Sequence, residues 1–170
     1  MEFQAERVSQ STTLNIEGRI EDVFPLFGPV REKDWAYGWD PEILYSTSAL
    51  VEEGMIFRTR AHDVSDRHYL WAVTRFDAAN YAIVYTVTAP ERIWFISVQC
   101  YDKAMATEVE VRYIYTAFTS EASARNREAL KKMFADDLRD WETAINYYLK
   151  NGKVLKPDDT EFSHYAAVDR

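Results

Sequence analysis

Hydrophobic and polar positions alternate through much of the chain, a pattern that is typical of β-strands with one buried and one wet face. The clearest alternation spans residues 107–118. The side chains predicted to be buried there are Val109, Val111, Tyr113, Tyr115 and Ala117. Those predicted to face water are Glu108, Glu110 and Arg112. The segment therefore predicts a strand of an antiparallel sheet, which can expose one face to solvent.

Seven segments in total carry a strand pattern and are rich in β-branched and aromatic residues. They are residues 7–16, 44–50, 55–61, 68–76, 81–88, 92–100 and 107–118. Turn-forming stretches of about two to six residues separate the last six, which suits antiparallel hairpins. No segment with a helical period lies between them, so parallel strands with crossover helices are disfavoured.

Helical patterns occur after the first strand and again near the end of the sequence. Residues 20–27 and 30–35 predict two short helices, and Pro25 limits the regularity of the first. Apolar residues at steps of three and four predict one long amphipathic helix over residues 120–150, with Ser120 as its N-cap. The predicted fold class is α+β, with a curved antiparallel sheet of about seven strands wrapped around the long C-terminal helix.

The 170-residue chain is acidic, with 28 Asp and Glu against 20 Lys and Arg and a net charge of −8. This balance disfavours nucleic acid and anionic membrane surfaces, because both are bound by clustered basic residues. No apolar run approaches the ~20 residues that cross a bilayer, and the N-terminal residues lack an apolar signal core. The single cysteine, Cys100, cannot form an intrachain disulfide. We therefore expect a cytoplasmic protein of one domain, residues 1–170, without membrane insertion or a nucleic-acid partner.

Aromatic residues are numerous, with 9 Phe, 11 Tyr and 5 Trp. Many are predicted to lie on the sheet face that meets the helix, or on the apolar stripe of the helix itself. The candidate residues for lining a cavity there are Trp39, Phe57, Trp71, Tyr85, Tyr113, Tyr115, Met133, Leu138 and Trp141. Trp35 is expected near the mouth of this cavity. Whether the rings enclose an open cavity or fill an aromatic core is left open by the sequence.

Local sequence marks accompany this order of elements. They are Phe24 and Phe27, the segment WAYGWDPE at 35–42, Gly54 followed by Phe57, Trp71-Ala72-Val73 leading to Asp77, the strand with Tyr113 and Tyr115, and Trp141. With these marks the chain resembles the START / Bet v 1-like (SRPBCC) superfamily over about residues 7–150, in particular its polyketide cyclase/dehydrase and lipid-transport group. The resemblance implies a helix-grip fold, with two short helices after strand 1 and a deep apolar cavity. Residues 151–170 are expected to form a polar tail.

Family members bind lipids, hormones, polyketides and other hydrophobic molecules, and some catalyse cyclisation. The resemblance supplies no family-wide catalytic set, so the catalytic residues stay unknown. The hydroxyl groups to consider belong to Tyr85, Tyr113 and Tyr115. They either donate to a ligand, act as general acids in a reaction, or belong to an aromatic core. Arg58 and Arg60 alternate on one strand face and form either a solvated stripe or an anion site in the cavity.

Metal chemistry is not expected. The three histidines are His62, His68 and His164. They lack the converging spacing of metal ligands. No phosphate-binding glycine loop or nucleophile–base arrangement is visible either, so neither a metal nor a cofactor is expected.

Three functional hypotheses follow from these observations. The first is binding of a small hydrophobic ligand (lipid-like, aromatic or polyketide-like) in a cavity between the sheet and the C-terminal helix. The second is a polyketide cyclase/dehydratase-type enzyme that uses the same cavity and needs a buried, ligand-facing polar cluster, such as Tyr with Arg or His. The third is a co-chaperone-like interaction module, which predicts an exposed apolar patch. A homodimer is compatible with the sequence.

Overall fold

The structure is a computed structural model that describes residues 2–61 and 67–158. These residues form one seven-stranded antiparallel sheet in the order β1-β7-β6-β5-β4-β3-β2. The strands are β1 Glu6–Ile16, β2 Glu42–Tyr45, β3 Ile56–Arg60, β4 His68–Asp77, β5 Ala82–Ala89, β6 Arg92–Asp102 and β7 Thr107–Ala117. The predicted α+β class with a helix-grip arrangement is confirmed. His62, His164 and the end of the predicted tail lie outside the described residues.

One face of the sheet packs against the helices and is called the inner face below. Burial alternates along β6 and β7 as their patterns predicted, because successive side chains of a strand point to opposite faces. The inner-face residues of β6 are Arg92, Trp94, Ile96, Val98 and Cys100. β1 closes one edge by pairing with β7 over its whole length, from Glu6 opposite Ala117 to Ile16 opposite Thr107.

A β-bulge at Thr74 changes which residues of β4 point to the inner face after Val73. The pairing with β5 passes from Val73 opposite Tyr85 to Arg75 opposite Val84, so Thr74 is an extra residue on the β4 side. In a regular strand Arg75 would share the inner face with Val73, and Phe76 would point away. The bulge instead brings Phe76 to the inner face, opposite Ile83.

Strand β2 is shorter and begins earlier than residues 44–50, the predicted range. The difference arises from side-chain hydrogen bonds that compete with strand pairing. The Glu52 carboxylate accepts the backbone N–H and the hydroxyl of Thr47, and also the hydroxyl of Ser48. These bonds turn residues 46–51 into a compact loop, in which Ala49 has a φ of 59°.

The first predicted short helix is an α-helical turn, α1 (Ile20–Val23), followed by a 3₁₀ turn at Phe24–Phe27. Pro25 has no N–H to donate and fits only the first turn of a helix, so the regular helix does not continue through it. The second predicted helix is a 3₁₀ turn at Arg31–Asp34. The Tyr85 hydroxyl donates to the carbonyl of Phe27 and ties the first 3₁₀ turn to the inner face.

The single long C-terminal helix predicted by the sequence is wrong in one respect, because the chain forms two helices, α2 (Ser120–Met133) and α3 (Arg139–Asn151). Asp137 and Leu138 adopt left-handed φ values of 47° and 55°, which a continuous helix excludes. The break lets α2 pack against β7 and β1 while α3 packs against β1. The predicted N-cap is also displaced by one residue, since Thr119 Oγ1 accepts the N–H of Ala122 at 3.2 Å.

Polar contacts fix α3 at the edge of the sheet. Glu142 accepts the backbone N–H of Asn15, and the Asn146 side chain accepts that of Glu17, each at 2.8 Å. No helix among the described residues is long and apolar enough to cross a membrane.

Candidate functional site

Four of the predicted cavity residues meet in one group on β3, β4, β5 and the segment before β2. Phe57 and Trp71 are stacked with ring centroids 5.3 Å apart, and Trp39 meets Trp71 edge to face at 5.4 Å. Tyr85 contacts both Phe57 and Trp71 at about 6 Å. We call these four residues the ring cluster. Because their rings contact one another directly, they form a packed part of the interior.

The polar atoms of the ring cluster have protein partners. Trp71 Nε1–H donates to Thr59 Oγ1 at 2.9 Å, and Trp39 Nε1–H donates to the carbonyl of Pro29 at 2.7 Å. The Tyr85 hydroxyl is used by the carbonyl of Phe27. These bonds fix the orientation of the rings, because a buried N–H or O–H is costly without an acceptor.

The remaining predicted lining residues lie around β7 and the C-terminal helices. Tyr113 is stacked on Tyr115 at 6.1 Å and meets Trp141 of α3 at 6.3 Å. Leu138 is fully buried in the same core, and Met133 is partly buried against it. Trp35, expected at a cavity mouth, has no exposed surface. It packs on Trp141 at 5.7 Å and donates to the carbonyl of Leu26, so it is an interior ring.

A cavity of about 470 Å³ lies at the end of the inner face where β4 ends and β5 begins. It is bounded by the 3₁₀ turn after α1, the following residues, and the loop before β3. Its lining residues are Phe24, Pro25, Gly28, Val30, Arg31, Ala49, Leu50, Val51, Phe76, Ala78 and Ile83. None of the residues predicted to line a cavity belongs to this set.

The wall of the cavity is built by contacts across three separate segments. Phe24 is stacked on Phe76 at 5.9 Å, which joins the 3₁₀ turn to the end of β4. Gly28 closes the wall against the loop, since a Cβ there would lie 3.4 Å from the Cβ of Val51 and 3.3 Å from the carbonyl oxygen of Pro25. Leu50 is 72% exposed and forms part of the rim.

Arg31 brings the one charged side chain among the lining residues. Its Nε donates to Asp34 Oδ2 at 2.6 Å, and its Nη2 donates to the Tyr148 hydroxyl of α3 at 3.4 Å. The hydrogen bond to Asp34 raises the pKa of Arg31 above its ordinary value, so the guanidinium is cationic at any physiological pH. The rim of an otherwise apolar cavity therefore holds a fixed positive group.

A buried polar cluster lies at the opposite end of the inner face, where β6 begins. The Arg92 guanidinium, whose residue is 4% exposed, lies over the rings of Trp94 and Tyr69 at 5.1 and 5.7 Å. It also donates to the Tyr69 hydroxyl at 3.2 Å and to Asn126 Oδ1 at 3.4 Å. We call Tyr69, Arg92 and Asn126 the Arg92 cluster. Its members do not line the 470 Å³ cavity.

The other candidate groups lie away from the cavity. Arg58 faces outward and binds Glu42 through Nε and Nη2 at 2.6 and 3.1 Å, and this bond lowers the pKa of Glu42. Of the two interpretations of the strand face with Arg58, the structure supports the solvated stripe.

Cys100 is buried, and burial raises the pKa of its thiol to about 12, so it is not a nucleophile in the folded protein. Among the described residues, no three His, Cys, Asp or Glu side chains form a metal-binding group.

Little in the sequence indicates the 470 Å³ cavity. Ile83 and Phe76 come to one face only through the Thr74 bulge, which depends on strand pairing. Ala49 lies within the predicted strand 44–50 and Val51 directly follows it. The structure instead places both in the loop that Glu52 stabilises. The usable signal was Gly28-Pro29 after two Phe residues, which marks a close turn beside apolar side chains.

Solved structures with the same fold were found by structural comparison. Norcoclaurine synthase from Thalictrum flavum, solved with dopamine and hydroxybenzaldehyde, is 10% identical with a TM-score of 0.63, covering 88% of this chain and 90% of that chain. Ara h 8.0201 is 12% identical with a TM-score of 0.59, covering 87% of this chain and 100% of that chain. The Mll3558 protein from Rhizobium loti is 14% identical with a TM-score of 0.56, covering 82% and 99%.

These structures confirm the Bet v 1-like fold that the sequence resemblance implied. At such low identities the likeness concerns the fold. Neither a protein-family model nor a curated protein matches the sequence.

Proposed function

We propose that this chain binds a small hydrophobic molecule in the 470 Å³ cavity at the end of the inner face. The observation that carries the proposal is the cavity itself, whose lining is apolar apart from Arg31. Its volume lies in the range of about 300–1,000 Å³ that is usual for small-molecule sites. An apolar molecule gains free energy on leaving water for such a surface, at roughly 25 cal/mol per Å² buried.

This site differs in place from the one expected between the sheet and the C-terminal helix. The rings expected to line that space contact each other in the ring cluster and around Tyr113 and Trp141. The 470 Å³ cavity belongs to the same inner face but is covered by the short helical turns and the 46–51 loop. The ligand is therefore expected next to Phe24 and Phe76, whose rings favour an aromatic or flat apolar body.

The norcoclaurine synthase structure supports the same class of ligand. That protein, which shares the fold, was solved with dopamine and hydroxybenzaldehyde, both small aromatic molecules. Lipid-like and polyketide-like molecules remain candidates for this chain, because the lining recognises apolar surface rather than a particular skeleton.

The test is a titration followed by amide NMR, with a panel of small apolar probes that includes naphthaleneethanol and octanol. Binding should shift the amide resonances of Val51, Phe76 and Ile83 and leave those of β7 unchanged. Ala78→Phe adds a ring at the cavity and should abolish these shifts. Ala124→Phe makes the same change on an exposed position of α2 and should leave binding intact. Failure of every probe, or equal binding by Ala78→Phe and the unaltered chain, refutes the proposal.

The enzyme alternative has one observation in its favour, the buried Arg92 cluster, which lies away from the 470 Å³ cavity and would need a substrate site of its own. A buried Tyr hydroxyl beside a guanidinium can hold or donate a proton to a carbonyl, which cyclisation and dehydration require. Within the described residues, Nδ2 of Asn126 is buried and has no hydrogen-bond partner, so it can serve as a further donor. The test is loss of water from a linear poly-β-ketone incubated with the protein, followed by mass spectrometry. Activity that Tyr69→Phe removes would favour this alternative.

A further inference from the structure

Arg31 is out of place in a cavity that only has to hold an apolar molecule. Every other lining residue is apolar or glycine, and a hydrocarbon ligand gains nothing from a guanidinium at the rim. The position of Arg31 is also fixed on two sides, by Asp34 in its own 3₁₀ turn and by Tyr148 of α3. A held cation beside an apolar cavity is the arrangement that recognises a molecule with one polar end.

The donors of Arg31 leave room for a further partner. A guanidinium has five N–H groups, and the bonds to Asp34 and Tyr148 use one on Nε and one on Nη2. The three remaining N–H groups, all on the Nη atoms, have no acceptor among the described residues. The Tyr148 hydroxyl accepts the bond from Arg31, so its own O–H is left to donate to another acceptor.

We infer that the ligand is an amphipathic carboxylic acid, whose carboxylate binds the Nη atoms of Arg31 and the hydroxyl of Tyr148 while its apolar body fills the cavity. This inference rests on the proposed function and names its ligand class. The planar guanidinium matches a carboxylate in a two-pronged geometry, and the hydrogen bonds are assisted by charge.

The nearest acidic group does not prevent this binding. Asp34 occupies the Nε side of the guanidinium, so the Nη atoms are the ones left for a second carboxylate. The Asp34 side chain is about one-third exposed, and water and salt screen its repulsion of a second carboxylate. Arg31 itself is half-exposed, so the head group can remain partly hydrated, which limits the cost of bringing its charge to the rim.

The test compares two probes of nearly the same shape, naphthaleneacetic acid and naphthaleneethanol, by calorimetry and by the amide shifts of Val51 and Ile83. The unaltered protein should bind the acid about tenfold more tightly than the alcohol, the effect of one charged hydrogen bond. Arg31→Gln should remove this preference, so that the acid binds no more tightly than the alcohol does to the same variant. Tyr148→Phe should reduce the preference by a smaller factor.

Lys33→Gln is the matched control. It removes one positive charge from the same 3₁₀ turn, but Lys33 binds Asp40 and does not line the cavity, so the preference for the acid should survive. Equal affinity for acid and alcohol, or a preference that survives Arg31→Gln, overturns the inference and leaves the proposed function standing. If neither probe shifts the cavity resonances, the proposed function fails and the inference fails with it.

Discussion

The ring cluster and the 470 Å³ cavity lie on the same inner face, yet one is packed and the other is open. In the ring cluster, Phe57, Trp71 and Trp39 come from neighbouring segments, and the centroid of Trp71 lies 5.3 Å from that of Phe57 and 5.4 Å from that of Trp39. At the cavity, Phe24 and Phe76 also stack, at 5.9 Å. The same wall also contains three of the smallest side chains, at Ala49, Ala78 and Gly28.

This difference shows that aromatic content alone does not create a binding site. Rings that meet other rings complete a core, and each buried ring contributes a large apolar area. The cavity lies where the sheet is covered by turns and a loop that contribute small residues as well as larger ones. Here the covering segments are a 3₁₀ turn that contains Pro25 and a loop that Glu52 holds. The backbone therefore decides which end of the inner face stays open.

Truncation of a packed ring should have the largest effect. Trp141→Ala removes a buried ring that contacts Trp35 and Tyr113, and should lower the free energy of unfolding by about 3–5 kcal/mol. Leu50→Ala at the cavity rim should change it by less than about 0.5 kcal/mol, because Leu50 is exposed. Urea unfolding of both variants measures the two values. Similar losses in both would show that the two regions are equally packed.

Removal of the Tyr85 hydroxyl should have an intermediate effect on the free energy of unfolding. It should affect both regions, because this hydroxyl joins the ring cluster to the turn at the cavity. Tyr85→Phe leaves the ring cluster intact but deprives the Phe27 carbonyl of its donor, which should cost about 1–3 kcal/mol. The same 3₁₀ turn carries Phe24 and Pro25 of the cavity wall, so the affinity for naphthaleneethanol should fall as well. Tyr101→Phe, on an exposed position of β6, is the control and should alter neither quantity.

A glycine placed at a position with a left-handed φ should have a smaller effect on the free energy of unfolding, and should raise it rather than lower it. Ala49 and Ala104 have φ values of 59° and 66°, where a Cβ is strained, so Ala49→Gly and Ala104→Gly should each stabilise the fold by up to about 1 kcal/mol. Ala49 lines the cavity, whereas Ala104 lies in the β6–β7 hairpin. Only Ala49→Gly should change probe affinity. If Ala49→Gly leaves probe affinity unchanged, as Ala104→Gly should, the 46–51 loop is not part of the site.

The smallest expected effect is a pH dependence of that loop. Hydrogen bonds from the N–H and the hydroxyl of Thr47 lower the pKa of Glu52 below its ordinary value of 4.5. A lowered pKa in the folded state means that the carboxylate stabilises the loop fully above the ordinary pKa, and that this contribution is lost as the pH falls through the lowered pKa. The amide shift of Thr47 should therefore titrate below pH 4.5. Glu52→Gln should abolish the titration. A midpoint at or above pH 4.5 would contradict the hydrogen bonds between Thr47 and Glu52.

Much of the fold could be predicted because alternation and turn residues are local signals. Strands β6 and β7 follow directly from their buried and exposed positions. The break between α2 and α3 could not be predicted in this way, since Leu130, Phe134 and Leu138 are spaced as in a continuous helix. Asp137 and Leu138 adopt left-handed φ values without the glycine that would signal them.

The candidate site was harder to predict than the fold. The rings chosen from the sequence are in the interior, but whether a ring faces space or another ring depends on the element that covers it. Trp35 illustrates this, because its packing on Trp141 depends on where α3 begins. The cavity lining combines residues from distant parts of the chain, such as Val30 and Ile83, and no local pattern links them.

The bulge at Thr74 also bears on how this strand can vary in length. Since Thr74 is surplus to the pairing with β5, a chain without it would pair regularly, with Val73 and Phe76 still facing inward and Arg75 outward. The strand can thus gain or lose one residue at this point without exchanging its two faces. An alignment of related chains should accordingly place a gap there and match the cavity residues by face, not by residue count.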